Sequence, residues 1–332
     1  MNRLDHTFNL YENHQLIIWR LVDGKAGHES QSLGLVKALA KQAPCHYIDI
    51  EVSNWLEAFV SYLMGTWGLG AGLPLPDLII GAGHATHLHM LAAQKAYGGK
   101  TIVLMQPSLP VKMFDLCIIP EHDQYQGSGT FIQTKGVLNP IQSEGEHYQN
   151  QALIMIGGPS KHCDWDTLKL IAQVYELVHH NQDIKYTLTT SRRTPKAFVS
   201  AVKRIHFPNL TIVPFEETGK GWVAHKLAES AYAWVTEDSV SMVYEALTAQ
   251  VAVGLLNMPV KRDSRVTRGV NQLISQGFVT RFDFLQVYRN KLTVAVGFVE
   301  SDRCSQWILH AWLGANDTNL AGHDSFNPQF EF

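Results

Sequence analysis

Residues 19–34 read WRLVDGKAGHESQSLG, and this stretch decides the fold. The run LIIWRLVDG, at 16–24, predicts a buried strand that ends in a glycine-bearing turn. His28, Glu29 and Ser30 then open a helical pattern, LGLVKALAKQ. In α/β domains, strand ends and exposed helix N–H groups converge at such a turn, so anions and polar substrates bind there. The stretch therefore predicts the front of an α/β domain with a binding site at its first strand end.

The alternation of strands and helices continues in two series. Helical patterns at 30–42, 53–64 and 84–97 separate the strand-like runs of the first series, which ends near 141. Those of the second series lie at 163–180, 195–206, 221–230 and 239–249. This pattern predicts parallel sheets covered by helices. We predict an N-terminal domain over 1–145, a C-terminal domain over 146–300, and a helix and tail over 301–332, with the polar segment 136–151 as a linker.

Composition restricts the class of protein. The chain has 332 residues, 45% hydrophobic and 17% charged, with a net charge of −3, which suits a globular protein and argues against a nucleic-acid partner. The cysteines at 45, 117, 163 and 304 lack CxxC spacing, so we expect reduced thiols in a cytosolic enzyme. The N-terminus is polar, and glycines and prolines interrupt the uncharged run 58–76, so we expect no secretory signal and no membrane-spanning helix.

The first candidate site is Asp23 to Glu29. His28 can act as a general base near neutral pH, with Asp23 or Glu29 tuning it, and Lys25 adds a charge to the same turn. The alternative is a simple glycine turn in which Glu29 favours the helix start.

The second candidate site is GAGHATH, 81–87, directly after a predicted strand. It begins like a dinucleotide fingerprint, but Thr86 replaces the third glycine, which argues against a nicotinamide site. His84 and His87 are three residues apart and can share a face with His28 in a polar acceptor pocket. Metal binding is disfavoured because no carboxylate or cysteine completes the set, and a tight strand-to-helix turn remains the alternative.

Two glycine- or arginine-bearing turns follow strands of the second series. Gly157 and Gly158 would let a phosphate approach the backbone, with Ser160 and Lys161 adding donors. The segment TTSRRTP, 189–195, places two arginines beside hydroxyls as an anion clamp. The alternatives are an ordinary turn and a pair of solvated arginines before a proline-started helix.

The most specific signal is TEDSVSMVYEA, 236–246. Asp238 or Ser239 can cap the helix that follows, and its N–H groups, with the hydroxyls of Ser239 and Ser241, would meet a phosphate. Glu245, one turn after Ser241, would accept hydrogen bonds from a ribose diol. The alternative is a helix cap with a solvated glutamate.

The apolar stretch 55–76 spaces Trp55, Phe59, Leu63 and Trp67 at helical intervals. Core packing is the commonest meaning of such a pattern. The alternative is an exposed patch that touches a membrane and meets a lipid-linked acceptor.

Taken in order, DGKAGHESQSLGL, GAGHATH, IGGPSKH, TTSRRTP and TEDSVSMVYEAL resemble the mitochondrial fission ELM family over about residues 16–300. The resemblance implies a GT-B-like architecture, in which two Rossmann-like domains with parallel sheets face each other across a cleft. It places the acceptor on the N-terminal domain and the donor nucleotide on the C-terminal domain. The opening GKAGHES is also similar to the glycine-rich loop of N-acetylglucosaminyl transferases that act on lipid-linked peptidoglycan precursors, in which a histidine follows the glycines, as His28 does here.

The resemblance therefore implies a metal-independent glycosyltransferase with a nucleotide-sugar donor and no cofactor. Its acceptor would be a glycan or glycolipid, including lipopolysaccharide or lipo-oligosaccharide core, and the protein would be cytoplasmic with peripheral contact at the inner membrane. The alternative is a GT-B-shaped recruitment protein without catalysis. The catalytic candidates are His28 and Asp23, the acceptor-side candidates are Lys25, Gly27, Glu29, His84 and His87, and the donor-side candidates are Gly157, Gly158, Ser160, Lys161, Ser191, Arg192, Arg193, Glu237, Asp238, Ser239, Ser241, Met242 and Glu245.

Overall fold

The chain divides into two compact units. A computed structural model describes residues 15–52, 54–261, 264–283 and 292–313. The first unit comprises residues 1–140 and 300–332, and the second comprises 141–299. The polar N-terminal segment and the tail after 313, both addressed by the sequence analysis, lie outside the described residues.

The first unit is built on a parallel sheet with the strand order β2-β1-β3-β4-β5-β6. Its strands are β1 (Leu16–Val22), β2 (Cys45–Glu51), β3 (Leu78–Ala82), β4 (Lys100–Leu104), β5 (Leu116–Pro120) and β6 (Phe131–Thr134). The helices between them are α1 (Ala26–Gln42), α2 (Trp55–Met64) and α3 (His84–Tyr97). The central strands are buried along nearly their whole length, as expected for parallel strands with helices on both faces.

The second unit repeats the plan with the order β12-β11-β10-β7-β8-β9, again parallel. Its strands are β7 (Tyr148–Ile156), β8 (Lys185–Thr190), β9 (Leu210–Val213), β10 (Ser230–Thr236), β11 (Ala252–Leu256) and β12 (Thr280–Arg281). The helices are α4 (Thr167–His180), α5 (Lys196–Val202), α6 (Trp222–Glu229), α7 (Val240–Thr248) and α8 (Arg265–Ser275).

The C-terminal helix α9 (Glu300–Leu313) is part of the first unit, which corrects the expected separate segment 301–332. It packs against α1, and Cys304, Ile308 and Leu309 join the hydrophobic cluster beneath β1. The N-terminal domain was also expected to end at 145, whereas the first segment of the first unit ends at 140. Helix α9 belongs to the first unit because its apolar face is buried there, although the second unit precedes it in the chain.

The predicted helices at 84–97 and 239–249 match α3 and α7 closely, but sequence patterns missed three elements. The strands β6 and β12 are short, and α8 carries no long apolar run. The linker predicted over 136–151 contains the start of β7. Among the described residues, no helix is long and apolar enough to cross a bilayer.

The stretch 55–76 does not pack as a core helix, which was the commoner expectation. Trp67 is buried against Trp19, but within α2 only Ala58 is buried. Trp55, Phe59 and Leu63 are exposed, because α2 packs mainly against α3 and buries only the edge that carries Ala58.

Candidate active site

The carboxyl ends of β1, β3 and β4 form one edge of the first sheet, and the residues just beyond them are polar. Asp23 follows β1, Gly83 and His84 follow β3, and Met105 follows β4. Because all strands of the sheet are parallel, these strand ends lie side by side. The first two predicted sites therefore come together in the first unit.

Asp23 and His28 form a hydrogen-bonded pair at this edge. The Asp23 Oδ2 to His28 Nδ1 distance is 2.8 Å, with the carboxylate 2% exposed and the imidazole 22% exposed. Burial alone would raise the pKa of Asp23, but the hydrogen bond and charge of His28 and the amide of Lys25 lower it below its usual value. An ionised Asp23 fixes the tautomer in which Nδ1 carries the proton. The Nε2 atom then holds a lone pair, as a general base requires.

Local backbone geometry fixes this pair. Gly24 has φ +76° and lets the chain turn directly after Asp23, while the amide of Lys25 donates to Asp23 Oδ1 at 3.2 Å. Gly83 has φ +84°, and a Cβ built there would lie 2.3 Å from the His28 ring. The glycine is needed because the imidazole packs against its backbone. The nearby Gly27 and Glu29 lie in the first turn of α1, where the Glu29 carbonyl accepts from Arg20.

The other two histidines of this edge differ from each other in exposure. His84 is exposed at the start of α3, whereas His87 is buried and its Nδ1 lies 3.1 Å from Ser108 Oγ. Burial, with smaller contributions from the charges of His84 and His28, lowers the pKa of His87 to about 4. His87 is therefore neutral at physiological pH, and His28, His84 and His87 lie close enough to interact.

Sequence patterns missed further polar groups at this edge. Gln31, on α1, donates to the Gly27 carbonyl at 3.2 Å and contacts Met105 Sδ at 3.4 Å. Met105 has φ +70°, an uncommon conformation for a residue with a side chain and one that is enriched at functional sites. Ser108 follows in the same loop. A sequence signal existed only for Gln31, which lies one turn after His28.

The corresponding edge of the second sheet places the glycines of 157–158 beside β10, but their amides are already used. Gly157 N donates to Thr236 Oγ1 at 2.7 Å, and Gly158 N donates to Asp238 Oδ2 at 3.0 Å. A Cβ at Gly157 would lie 2.5 Å from the Asp238 carboxylate oxygens. The expected open phosphate cradle is therefore occupied by a carboxylate of the protein itself.

The two adjacent arginines have different surroundings. Arg193 Nη2 lies 2.8 Å from Asp238 Oδ2, and its Nη1 donates to the Gly158 and Pro159 carbonyls at 2.9 and 3.3 Å. Arg192 lies 5.6 Å over the Phe215 ring and makes no ion pair with any described residue. Of the two arginines of the predicted anion clamp, Arg193 therefore has a structural role and Arg192 is available to a ligand.

The hydroxyls of these loops also serve the backbone. Ser160 Oγ accepts from the amides of His162 and Cys163 at 3.1 and 3.0 Å, and Ser191 Oγ accepts from Arg193 N at 3.2 Å. Lys161 is exposed beside Ser160. Ser160 and Ser191 shape their turns, which leaves Lys161 as the available cation of the first loop.

Glu237 is buried and paired, which its sequence position did not reveal. Its carboxylate accepts from Met258 N at 3.0 Å and from Arg281 Nε at 2.5 Å. A pocket of about 170 Å³ lies beside this pair and is bordered by Asn271 of α8. That volume is below the roughly 300–1,000 Å³ of sites that enclose a whole ligand.

The start of α7 keeps its polar groups available. Ser239 occupies the N-cap position but its side chain makes no capping hydrogen bond, and Asp238 points to Arg193, so the expected cap is wrong. The amides of Val240, Ser241 and Met242 lack intrahelical acceptors, as in the first turn of any helix. In the described part of the chain, no side chain accepts from them.

Glu245 lies one turn further along α7 and is half-buried. Burial raises its pKa to about 7. Its carboxylate accepts no hydrogen bond from a described residue, so it differs from the paired Glu237 and Asp238 of the same unit. A half-buried acid without a partner among the described residues is costly to ionise, which favours a role with a donor group from a ligand.

Most of the sequence that forms these two edges matches the model of a known family. A model of the family described as mitochondrial fission ELM1 matches residues 26–312. The chain belongs to this family. Within the described residues, no group of three or more histidine, cysteine, aspartate or glutamate side chains is arranged to hold a metal ion.

A relative of this family member is protein RP120 of Rickettsia prowazekii (strain Madrid E), which bears the description "uncharacterized". The two are 24% identical over 335 residues, covering 82% of this chain and 94% of the relative. The similarity therefore extends over most of both chains.

Solved structures show the fold class. A Listeria monocytogenes protein assigned as a UDP-N-acetylglucosamine 2-epimerase superposes with a TM-score of 0.59 at 11% identity, covering 92% of this chain and 98% of its own. The UDP-GlcNAc 2-epimerase of Neisseria meningitidis, bound to UDP-GlcNAc, gives 0.52 at 11% identity, covering 91% and 100%. The predicted GT-B-like fold of two Rossmann-like units is confirmed, and identities this low carry the fold alone.

Proposed function

We propose that this ELM1-family protein transfers a sugar from a nucleotide-sugar donor to a hydroxyl of a glycan or lipid-linked acceptor, without a metal ion. His28 Nε2 takes the proton of the acceptor hydroxyl, and the acceptor oxygen forms a bond to the anomeric carbon. The bond from that carbon to the phosphate oxygen breaks, and the nucleoside diphosphate leaves with the electron pair. Asp23 stabilises the resulting imidazolium.

The observation that carries this proposal is the Asp23–His28 pair at a strand-end edge. Its 2.8 Å hydrogen bond leaves Nε2 as the imidazole's basic atom, and the neighbouring His84 is exposed. A buried carboxylate that orients a partly exposed imidazole has little purpose in packing. It suits proton abstraction near neutral pH.

On the donor side, the start of α7 supports binding of a nucleoside diphosphate. The amides of 240–242 and the Ser239 and Ser241 hydroxyls offer hydrogen-bond donors, and Arg192 offers a cation that makes no ion pair with a described residue. These donors would stabilise the charge that develops on the leaving diphosphate. Glu245 would accept from the ribose hydroxyls, with Met242 beside it.

The donor proposal is tested by thermal stabilisation of the full chain with a panel of UDP-, GDP- and ADP-sugars, with and without EDTA. A ligand at 100 times its Kd adds about 2.7 kcal/mol to the free energy of unfolding. We expect one nucleotide class to stabilise the protein, equally with EDTA present. Loss of the shift in Arg192→Ala and Glu245→Ala supports the site, and an unchanged shift in both variants contradicts it.

Transfer itself is tested by following nucleoside diphosphate release from the donor that binds. Slow release with water as acceptor, faster with an acceptor glycan and lost in His28→Ala, is the expected result. Conversion of the bound sugar into its epimer, with no transfer, would instead assign an epimerase activity like that of the structural neighbours and overturn the transferase proposal.

The acceptor class follows from the same edge of the first unit. Lys25, His84 and the buried His87 surround His28 with polar groups that suit sugar hydroxyls, in keeping with a lipopolysaccharide or lipo-oligosaccharide core acceptor at the cytoplasmic face of the inner membrane. Transfer onto core oligosaccharide, measured against a peptide acceptor as control, tests this choice.

A second candidate is a recruitment protein that keeps the GT-B shape without catalysis. The closed cradle favours it, because Asp238 already occupies the amide of Gly158 and the guanidinium of Arg193. This candidate predicts no stabilisation by any nucleotide sugar. A selective shift that disappears in Arg192→Ala would exclude it.

A further inference from the structure

Helix α2 exposes a broad apolar face. The α2 face consists of six side chains that are 42–71% exposed, namely Trp55, Leu56, Phe59, Val60, Leu63 and Met64. With about 100° per residue, these six span roughly half the circumference of the helix. In the loop that follows, Leu69 and Leu75 are also exposed, at 40% and 67%. Among the described residues of the second unit, by contrast, no helix carries more than two such side chains, and Leu168 and Tyr175 lie seven residues apart on α4.

Both ends of helix α2 are closed by hydrogen bonds within the first unit. Asn54 Oδ1 accepts from the amides of Leu56 and Glu57 at 3.1 and 3.4 Å, which caps the N-terminus. At the other end, Gly65 closes the helix in the left-handed conformation, and Lys95 Nζ donates to the Tyr62 carbonyl at 2.9 Å. The exposed face therefore belongs to a well-formed helix, and its burial would bring a large gain from apolar surface alone.

The chemistry of the face favours lipid over protein. Specific protein interfaces carry about one hydrogen bond per 100–200 Å². The α2 face offers almost no polar atoms, since Glu57 is the one charged residue in the stretch 55–75. A bilayer interface requires no hydrogen bonds from such a face and accommodates a helix with Trp, Phe and Leu on one side. At ten residues, α2 can lie in that interface but cannot span it.

The position of α2 connects the face to the candidate active site of the same unit. Val52 N donates to the Val22 carbonyl at 2.9 Å, and Asp23 is the next residue after Val22. Trp55 follows Val52 by three residues, a reach of at most about 11 Å. The apolar face thus begins beside the strand-end edge that holds the Asp23–His28 pair.

We propose that the α2 face docks on a lipid bilayer and holds this edge at the level of the lipid headgroups. In its last step the inference rests on the proposed function: an acceptor that reaches His28 from such a position is a lipid-linked one, with its apolar part in the bilayer. Docking itself requires neither donor nor acceptor.

The test is flotation of the full-length protein with vesicles of phosphatidylcholine alone and of phosphatidylcholine with phosphatidylglycerol. We expect flotation with both. The double variant Leu56→Gln/Leu63→Gln should lower the apparent partition coefficient about tenfold or more. Leu168→Gln is the control, because it removes a leucine of the second unit that is even more exposed, at 79%, and should change nothing.

Several results would overturn the proposal. They are a protein that stays in the lipid-free fraction, a double variant that floats as well as the parent, and a dimer in light scattering that the double variant dissociates, which would assign the face to a second copy. Thermal melting checks that the variants fold. Flotation without nucleotide-dependent stabilisation would preserve the docking surface and refute the donor site, whereas stabilisation without flotation would do the reverse.

Discussion

The two units share a sheet and crossover plan, but the charged side chains at their strand-end edges are used differently. In the first unit, the Asp23 carboxylate orients His28 and leaves Nε2 as a base. In the second, Arg193 and Arg281 are each bound to a buried carboxylate of the same unit. The comparison teaches that a polar residue at a strand end is available to a ligand only after the unit has satisfied its own buried charges.

The physical reason is the cost of burying a carboxylate. The Asp238 side chain is fully buried, and its Oδ1 atom has no partner among the described residues. Without the Gly158 amide and Arg193, its charge would be uncompensated. In the second unit, the Gly158 amide and Arg193 are therefore used by Asp238. The groups that remain for a ligand are Arg192, Lys161 and the start of α7.

The largest expected effect comes from removing the free base of the first edge. His28→Ala should lower kcat about 10²–10⁴-fold, because proton transfer by a positioned base contributes that much. The rate of nucleoside diphosphate release at saturating acceptor measures this effect. The exposed His46→Ala, on β2, is the matched control and should retain full activity. If His28→Ala keeps more than half of the activity, the base has been assigned wrongly.

The next prediction concerns Gly83, which touches the base but no reacting atom. Gly83→Ala should lower kcat roughly 10–100-fold, because its Cβ would lie 2.3 Å from the His28 ring and displace it. Gly72→Ala is the control: Gly72 also has a positive φ, +79°, but a Cβ there meets nothing within 4 Å. Gly83→Ala should also lose more stability than Gly72→Ala because of this contact, so activity is compared at a temperature at which both variants are folded. Equal loss of activity there would contradict the positioning role.

A third prediction addresses the unpaired acid of the second unit. The pKa of Glu245 is about 7 in the folded protein, against 4.5 as its usual value. Between these values the folded protein holds a proton that the unfolded chain has lost, so stability should fall as pH rises from about 5 to 7 and stay low above it. Glu245→Gln should remove this slope and add about 2 kcal/mol at pH 8.

Unfolding in urea at pH 5 and pH 8 measures the difference. A parent and variant with the same pH dependence would show that Glu245 ionises normally. Ligand binding provides a second test of Glu245. If ribose hydroxyls donate to its ionised carboxylate, affinity for a nucleotide sugar should increase as pH rises through 7. The donor's diphosphate diester does not titrate in this range.

The smallest expected effect separates the two arginines. Arg193→Ala should cost about 1 kcal/mol of stability, since it removes a partner of the buried Asp238 but is itself 43% exposed. Arg192→Ala should change stability by less than about 0.5 kcal/mol and weaken nucleotide binding instead. Urea unfolding and thermal shift with nucleotide measure the two properties. Equal destabilisation by both variants would erase the distinction drawn between them.

Sequence reasoning predicted the element types and the strand-end positions of the sites because hydrophobic period and glycine turns are local signals. It placed His28 beside Asp23 correctly for the same reason, since five residues separate them. It could not predict that Asp238 contacts Gly158 and Arg193, because those contacts join three separate strand ends. Nor could it decide whether the α2 pattern is buried, since exposure depends on which neighbour covers the helix.

The return of the chain to the first unit at residue 300 has a consequence for biosynthesis. The hydrophobic cluster beneath β1 needs Cys304, Ile308 and Leu309, which leave the ribosome after the whole of the second unit. Because domains fold as units during synthesis, the second unit can complete its core while the first still lacks one wall. The Asp23–His28 edge is thus completed only after the second unit has been synthesised, and a chain cut short before α9 would carry the donor-side elements on a unit with its whole core and the base on a unit that lacks part of its core.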